Sequence, residues 1–215
     1  MAELETVLQG ISVNAHSSVR IEAAGKKIYV DPFAWNAEPR DADLIFITHD
    51  HFDHFSPEDV ARVSRADTSF VLPETCAAKT AAVTGDRPVI TVRPGEGGEA
   101  AGIPFETVPA YNPNKPFHPR ANGWVGYVLE LDGVRVYVAG DTDATPEAAA
   151  VRCDIALLPI GGKYTMDAAE AAALANRLRP RIVVPIHYGS VAGSPADFER
   201  FAERVREGIR VVRFI

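Results

Sequence analysis

Short runs of β-branched and aromatic residues, each closed by Gly, Pro, Asn or Asp, recur along the chain and predict strands. The clearest cover 27–30, 44–48, 69–72, 124–131, 134–139, 155–160, 182–186 and 209–215. Only Asp132 and Gly133 separate Leu131 from Val134, and that pair favours a two-residue hairpin turn. Helical spacing alternates with these runs. Ser56-Pro57-Glu58-Asp59 supplies a capping hydroxyl, a Pro at the first helical position and two early acids, predicting a helix to about Arg65. The Ala-rich stretch 165–178 carries Asp167 and Glu170 early, has Arg177 and Arg179 at its end and stops at Pro180, as the helix dipole favours. A third helix is expected over 195–207, where Phe198, Phe201, Ala202 and Val205 recur at helical spacing and the charges between them form a solvated face. The span 93–122, dense in Pro and Gly, predicts loops and irregular strands. No Gly/Ser linker interrupts the pattern, so one α/β domain over 1–215 is expected.

Composition narrows the function. Lys and Arg number 22 against 29 Asp and Glu, a net charge of -7, which lacks the basic footprint of a nucleic-acid binder. No apolar run approaches the roughly 18 residues of a membrane span, and the start Met-Ala-Glu-Leu-Glu is acidic where a signal peptide is basic. A soluble, cytoplasmic protein is therefore expected, with neither nucleic acid nor membrane as partner. Cys76 and Cys153 stand far apart, with no second Cys or His beside either. Disulfide frameworks and zinc ribbons fail, and metal chemistry must use His and carboxylates.

Five predicted strands hand over directly to polar residues: to Asp31, His49, Asp141, Gly161-Gly162-Lys163 and His187. In layered α/β folds ligands bind beyond the carboxyl ends of strands, so five such arrivals at one sheet rim would assemble one site. The densest segment is Thr48-His49-Asp50-His51-Phe52-Asp53-His54, which holds three of the six His residues. Three imidazoles and two carboxylates so close together suit metal ligation. In an extended turn His49 and His51 point the same way, and Asp53 and His54 can bend back toward a second position.

The segment His49-x-His51-x-Asp53-His54 resembles the signature of the metallo-β-lactamase superfamily. Gly140-Asp141-Thr142 is similar to its bridging-aspartate segment, while Leu158-Pro159-Ile160-Gly161-Gly162-x-Tyr164-Thr165-Met166 and Pro185-Ile186-His187-Tyr188-Gly189 resemble its branch of ascorbate-6-phosphate lactonase-like and uncharacterised metal-dependent hydrolases. The resemblance spans nearly the whole chain. It implies a four-layer αββα sandwich with a two-metal site on one edge. Carried over by position, His49 and His51 would hold the first metal, Asp53, His54 and His187 the second, and Asp141 would bridge. The family expects a third imidazole on the first metal, and here only His118 stands in the right interval. Its Pro-rich setting, Lys115-Pro116-Phe117-His118-Pro119-Arg120, leaves two readings, metal ligand or substrate-contacting loop residue.

His16 is read either as a structural imidazole or as a site-lining one, and Asp31 either as a turn-starting residue or as the acceptor that orients a ligand His. Two divalent cations, zinc first with manganese or iron as alternatives, would share a bridging hydroxide and hydrolyse a lactone, acyl or phosphoester bond. Asp53 and Asp141 are the expected catalytic carboxylates. His16, Lys163 and Tyr164 are expected substrate contacts; the branch resemblance implies a small, anionic substrate molecule, with Lys115, Arg120 and Lys163 as candidate anion contacts. The alternatives are a nucleic-acid or phosphodiester-cleaving enzyme of the same fold, or a non-hydrolytic redox or regulatory module; diiron relatives place an acidic residue where His51 stands.

Overall fold

The computed structural model describes residues 2–215. Two sheets dominate it. The first runs in chain order as β1 (Ile11–Ala15), β2 (Ser18–Ala23), β3 (Lys26–Val30), β4 (Ala42–Phe46), β5 (Ser64–Pro73) and β6 (Val89–Val92). Its first three strands are antiparallel and the rest parallel. The second comprises β7 (Gly97–Ala100), β8 (Ile103–Pro109), β9 (Val125–Leu131), β10 (Val134–Val138), β11 (Ile155–Pro159), β12 (Ile182–Ile186) and β13 (Arg210–Val211). Here an antiparallel meander through β10 again gives way to parallel strands.

Strand periodicity explains how the layers stack. Along β4, Leu44 and Phe46 face the second sheet, and Ile45 with the following Ile47 faces away. Along β12, Ile182, Val184 and Ile186 face inward and Val183 outward. Both faces of each strand are therefore apolar, which is why these runs read as unbroken hydrophobic stretches. Helix α1 (Ala2–Gly10) adds Leu4, Val7 and Leu8 to the core between the sheets. Helices α2 (Pro57–Val63) and α3 (Ala77–Thr84) flank the outer face of the first sheet; α4 (Ala168–Leu178) and α5 (Ala196–Ala202) cover that of the second. The result is the expected αββα sandwich.

The structure differs from the sequence reading in particular places. Asp167 does not lie inside the helix; its carboxylate accepts from the Ala169 and Glu170 amides while Glu170 reaches back to the Asp167 amide, so α4 begins at Ala168 and not at 165. Helix α5 stops at Ala202, five residues short, and only Arg210–Val211 of the final run joins a sheet. Within 93–122, where loops and irregular strands are expected, β7 and β8 form a regular hairpin and loop follows it. Asp132 and Gly133 both adopt positive φ, the two-residue turn their identities favour. The strand ends bearing the ionisable residues do not share one rim: β3 and β4 end in the first sheet, β10, β11 and β12 in the second. The site straddles the seam, where the Val125 amide donates to Thr48 O (3.2 Å) and the His187 amide to His16 O (2.9 Å). No helix among the described residues is long and apolar enough to cross a membrane.

Candidate metal centre

Asp31, just past β3, organises the first sheet's contribution. Its carboxylate accepts the Thr48 amide (2.7 Å), the Thr48 hydroxyl (2.6 Å) and His54 Nδ1 (2.7 Å). Because the Thr48 hydroxyl proton goes to Asp31, its oxygen is free to accept from His49 Nδ1 at 3.0 Å. Between them, the chain turns tightly, with the His54 and Phe55 amides donating to His51 O, before Ser56 caps α2. The second sheet brings Asp141 from the end of β10 and His187 from the end of β12. His118 arrives on the Pro-rich loop, which folds back so that Asn112 Oδ1 accepts both the His118 amide (3.1 Å) and Nδ1 (2.8 Å).

His49, His54 and His118 each commit Nδ1 to such a partner and aim Nε2 inward, the arrangement that fixes metal-ligating histidines, whereas neither ring nitrogen of His187 makes a hydrogen bond. Asp141 sits at the centre: Oδ2 is 3.0 Å from His187 Nε2, 3.2 Å from His118 Nε2 and 3.9 Å from His49 Nε2, and Oδ1 is 3.3 Å from His54 Nε2. On one side His49, His51 and His118 bring ligand atoms within 4.8 Å of one another; on the other His16, Asp53, His54 and His187 do the same. Besides His187 Nδ1, five atoms that face one another across this cluster, Nε2 of His16, His54, His118 and His187 and Asp141 Oδ1, are buried and make no hydrogen bond. An unpaired buried polar atom costs about 1–3 kcal/mol, so five converging on one space need a common partner. Divalent cations fit that donor set.

Electrostatics agree with a cluster built around positive charge. Burial alone would raise the Asp141 carboxyl, yet the imidazoles of His187, His54 and His118 hold it well below its ordinary value. Burial would lower His54, but Asp141 and Asp31 on either side hold its imidazole well above. Burial and the neighbouring imidazoles push His49 and His51 down. For Asp53, the His16 contact and the charge of His54 outweigh burial and keep the carboxylate ionised. Burial raises both thiols, Cys76 and Cys153, to about 12, far from thiolate chemistry.

The backbone is bent to make these placements. Asp31, His16, Lys163 and His187 all adopt the left-handed region, unusual for residues with a Cβ and concentrated where packing enforces it. Gly161 has a role the sequence reading assigned to ligand approach: a Cβ there would stand 2.2 Å from His187 O, so the missing side chain makes room for the His187 turn.

A cleft of about 240 Å³ opens above the cluster, lined by His51, Phe52, Asp53, Phe117, His118, Asp141, Tyr164, His187 and Val191. Tyr164 is thus where a substrate contact is expected. His16 is not in the cleft; it lies behind, 1% exposed, its ring 3.8 Å from that of His187 and its Nε2 3.3 Å from Asp53. The three cations expected to meet an anion are placed otherwise. Lys115 pairs with Asp143 (2.5 Å) and Arg120 with Glu147 (2.6 Å), while Lys163 is exposed with Nζ 4.7 Å from the Tyr164 ring centroid and does not line the cleft. Thr48, Asn112 and Trp124, whose indole packs on His49, His51 and His118, went unread in the sequence. Thr48 adjoins the motif, but nothing local marks Asn112.

Residues 10–187 match the profile described as Beta-lactamase superfamily domain. The chain belongs to the beta-lactamase superfamily. Within it, the chain is 33% identical over 210 residues to a protein of Thermococcus onnurineus named UPF0173 metal-dependent hydrolase, with 92% of each chain covered. Among solved structures, one from Parabacteroides distasonis is 31% identical with a TM-score of 0.80, covering 94% of this chain and 91% of that one. A metallo hydrolase from Ignicoccus hospitalis is 26% identical with a TM-score of 0.73 and 94% of both chains covered. This superfamily membership agrees with the resemblance carried by the His-rich segment, and with the two-sheet sandwich.

Proposed function

We propose that this superfamily member is a metal-dependent hydrolase of small molecules that holds two divalent cations, zinc first among them, on the donors gathered around Asp141. The observation that carries the reading is the set of buried, unpartnered Nε2 atoms converging on one carboxylate at the floor of a cleft. His49, His51 and His118 would hold one cation, Asp53, His54 and His187 the other, and Asp141 would lie between them. His118 is assigned as a ligand, since Asn112 orients its ring and turns Nε2 inward. Bound divalent cations supply a water acidic enough to act as a nucleophile at neutral pH and polarise the substrate oxygen.

The chain's own groups do the rest. Asp53 lines the cleft, is ionised at neutral pH and sits 3.3 Å from His16 Nε2, so it can take a proton from the attacking water and hold it against His16. Asp31 holds His54 and, through Thr48, His49 in one tautomer, so the inward nitrogens stay unprotonated when a cation is present. Phe52, Phe117 and Tyr164 give the cleft above the cluster an apolar side. Lactone, carboxylic ester and phosphoester bonds are the reaction classes this arrangement serves.

Elemental analysis of the purified protein, then a screen of lactones, carboxylic esters, phosphodiesters and phosphorylated sugars with that metal present, tests the reading. His51→Ala should lower metal content and abolish turnover, because Ala offers no donor. Retention of two metals per chain and full turnover by that variant would contradict it.

A further inference from the structure

Resting on the hydrolase reading of this site, we infer that the substrate carries an uncharged apolar acyl or aryl group beside the bond that breaks, and that Phe52, Phe117, Tyr164 and Val191 form the subsite that selects it. Among the described residues, five large hydrophobic side chains are exposed, and three of them, Phe52 (68%), Phe117 (37%) and Val191 (39%), meet at this one cleft. The other two, Val89 and Ile90, lie on edge strand β6. Exposed apolar side chains that converge on a concave site mark binding, because solvated singly they gain nothing.

Three of the four wall residues lie close in the chain to a candidate ligand. Phe52 stands between His51 and Asp53, Phe117 precedes His118, and Val191 follows His187 by four residues. A group held by this wall therefore lies next to the reacting atoms. The wall is braced from behind: Phe52 meets the edge of Phe33 with centroids 6.0 Å apart, and Phe117 meets Tyr164 at 4.7 Å.

Charge points the same way. No Lys or Arg is among the described residues that line the cleft. Around it Lys79 pairs with Asp50 (3.0 Å), Lys115 with Asp143 and Arg120 with Glu147. A carboxylate or phosphate on the substrate's non-reacting end would lose its hydration against Phe and Val with no cation in the cleft lining to replace it; Lys163, exposed with Nζ 4.7 Å from the Tyr164 ring centroid, stands outside that lining. The cleft is also smaller than the roughly 300–1,000 Å³ typical of pockets for drug-sized ligands, which fits a short chain or one ring.

The test uses p-nitrophenyl esters from acetate to hexanoate on the metal-loaded protein, together with calorimetric binding of acetamide, butyramide, hexanamide, phenylacetamide, phenylacetate and phenyl phosphate. Burial of each added methylene should raise kcat/KM and amide affinity about three- to fourfold until the cleft is full. Phenylacetamide should bind more tightly than phenylacetate or phenyl phosphate. Phe117→Ala, and independently Val191→Ser on an exposed loop, should flatten the series while metal content stays at the wild-type value. A flat series in the wild type, or tighter binding of phenyl phosphate that is lost in Lys163→Met, would overturn the inference. The two readings part cleanly: turnover that is indifferent to chain length keeps the hydrolase and removes the subsite, and chain-length-dependent amide binding without turnover of any carboxylic ester, lactone or phosphoester keeps the subsite and removes the hydrolase.

Discussion

At the scale of single residues, the centre depends on side chains that touch no substrate. Asp31 accepts three hydrogen bonds and thereby sets the tautomers of two imidazoles that face Asp141. Replacing it by Asn keeps the shape but puts an amide donor where only acceptors fit, so Asp31→Asn should weaken metal binding by about 10- to 100-fold. Competitive titration against a chelator measures this; an unchanged affinity would return Asp31 to the role of a turn residue. The residues in the His-rich segment were legible because they are neighbours in the chain, so their density is itself the signal. Asn112 and Ser190, which meet His118 and His16 respectively, carry no such mark, for Asn112 reaches its partner only because the Pro-rich loop folds back, and Ser190 meets one 174 residues away in the chain. His16 illustrates the intermediate case: its identity draws notice, but only the fold shows that it lies behind His187 and not in the cleft.

At the scale of elements, what the chain disclosed were strands buried on both faces and helices with strong caps. The runs at β3, β4 and β9 through β12 were visible because alternate residues feed two different cores, leaving few polar interruptions such as Asp43, Glu130 and Arg135. The hairpin of β7 and β8 was hidden for the opposite reason. Its Gly97 and Gly98 look like loop residues, yet a Cβ on Gly98 would stand 2.9 Å from the Phe105 ring, so packing selects Gly in a strand. The same logic gives a prediction at the turn after β11. Gly161→Ala must move the His187 carbonyl away, which should cost about 1–3 kcal/mol of stability and reduce metal content through His187. Denaturant unfolding and elemental analysis of the variant check both halves. Normal stability with normal metal content would show that the His187 turn is not clamped there.

The whole molecule places two sheets so that their strand ends confront one another across a seam lined with charge. Without metal, this seam makes stability depend on pH in a definite way. The His54 imidazole is held above its ordinary value of 6.5 in the folded chain, so its stabilising contribution is full below 6.5 and is lost as pH rises through the folded value. His49, His51 and His16 are held below 6.5, so their neutral forms favour the folded chain increasingly as pH rises toward 6.5, and add no further change above it. Thermal melts in excess chelator should therefore show falling stability as pH is raised from about 6.5. With zinc present the trend should reverse, because cation binding releases the His54 proton and strengthens with pH. A chelated protein whose melting temperature climbs steadily from pH 6.5 to 9 would contradict the placement of His54 between two carboxylates.

The central claim at this scale is that the seam between the sheets holds two cations on opposite sides of Asp141. Anomalous X-ray scattering, recorded at the absorption edge of the metal found by elemental analysis, tests it most directly. Two peaks are expected, one among His49, His51 and His118 and one among Asp53, His54 and His187, with Asp141 between them. A crystal of metal-loaded protein with no peak in the seam, or with its peaks elsewhere on the molecule, would contradict it.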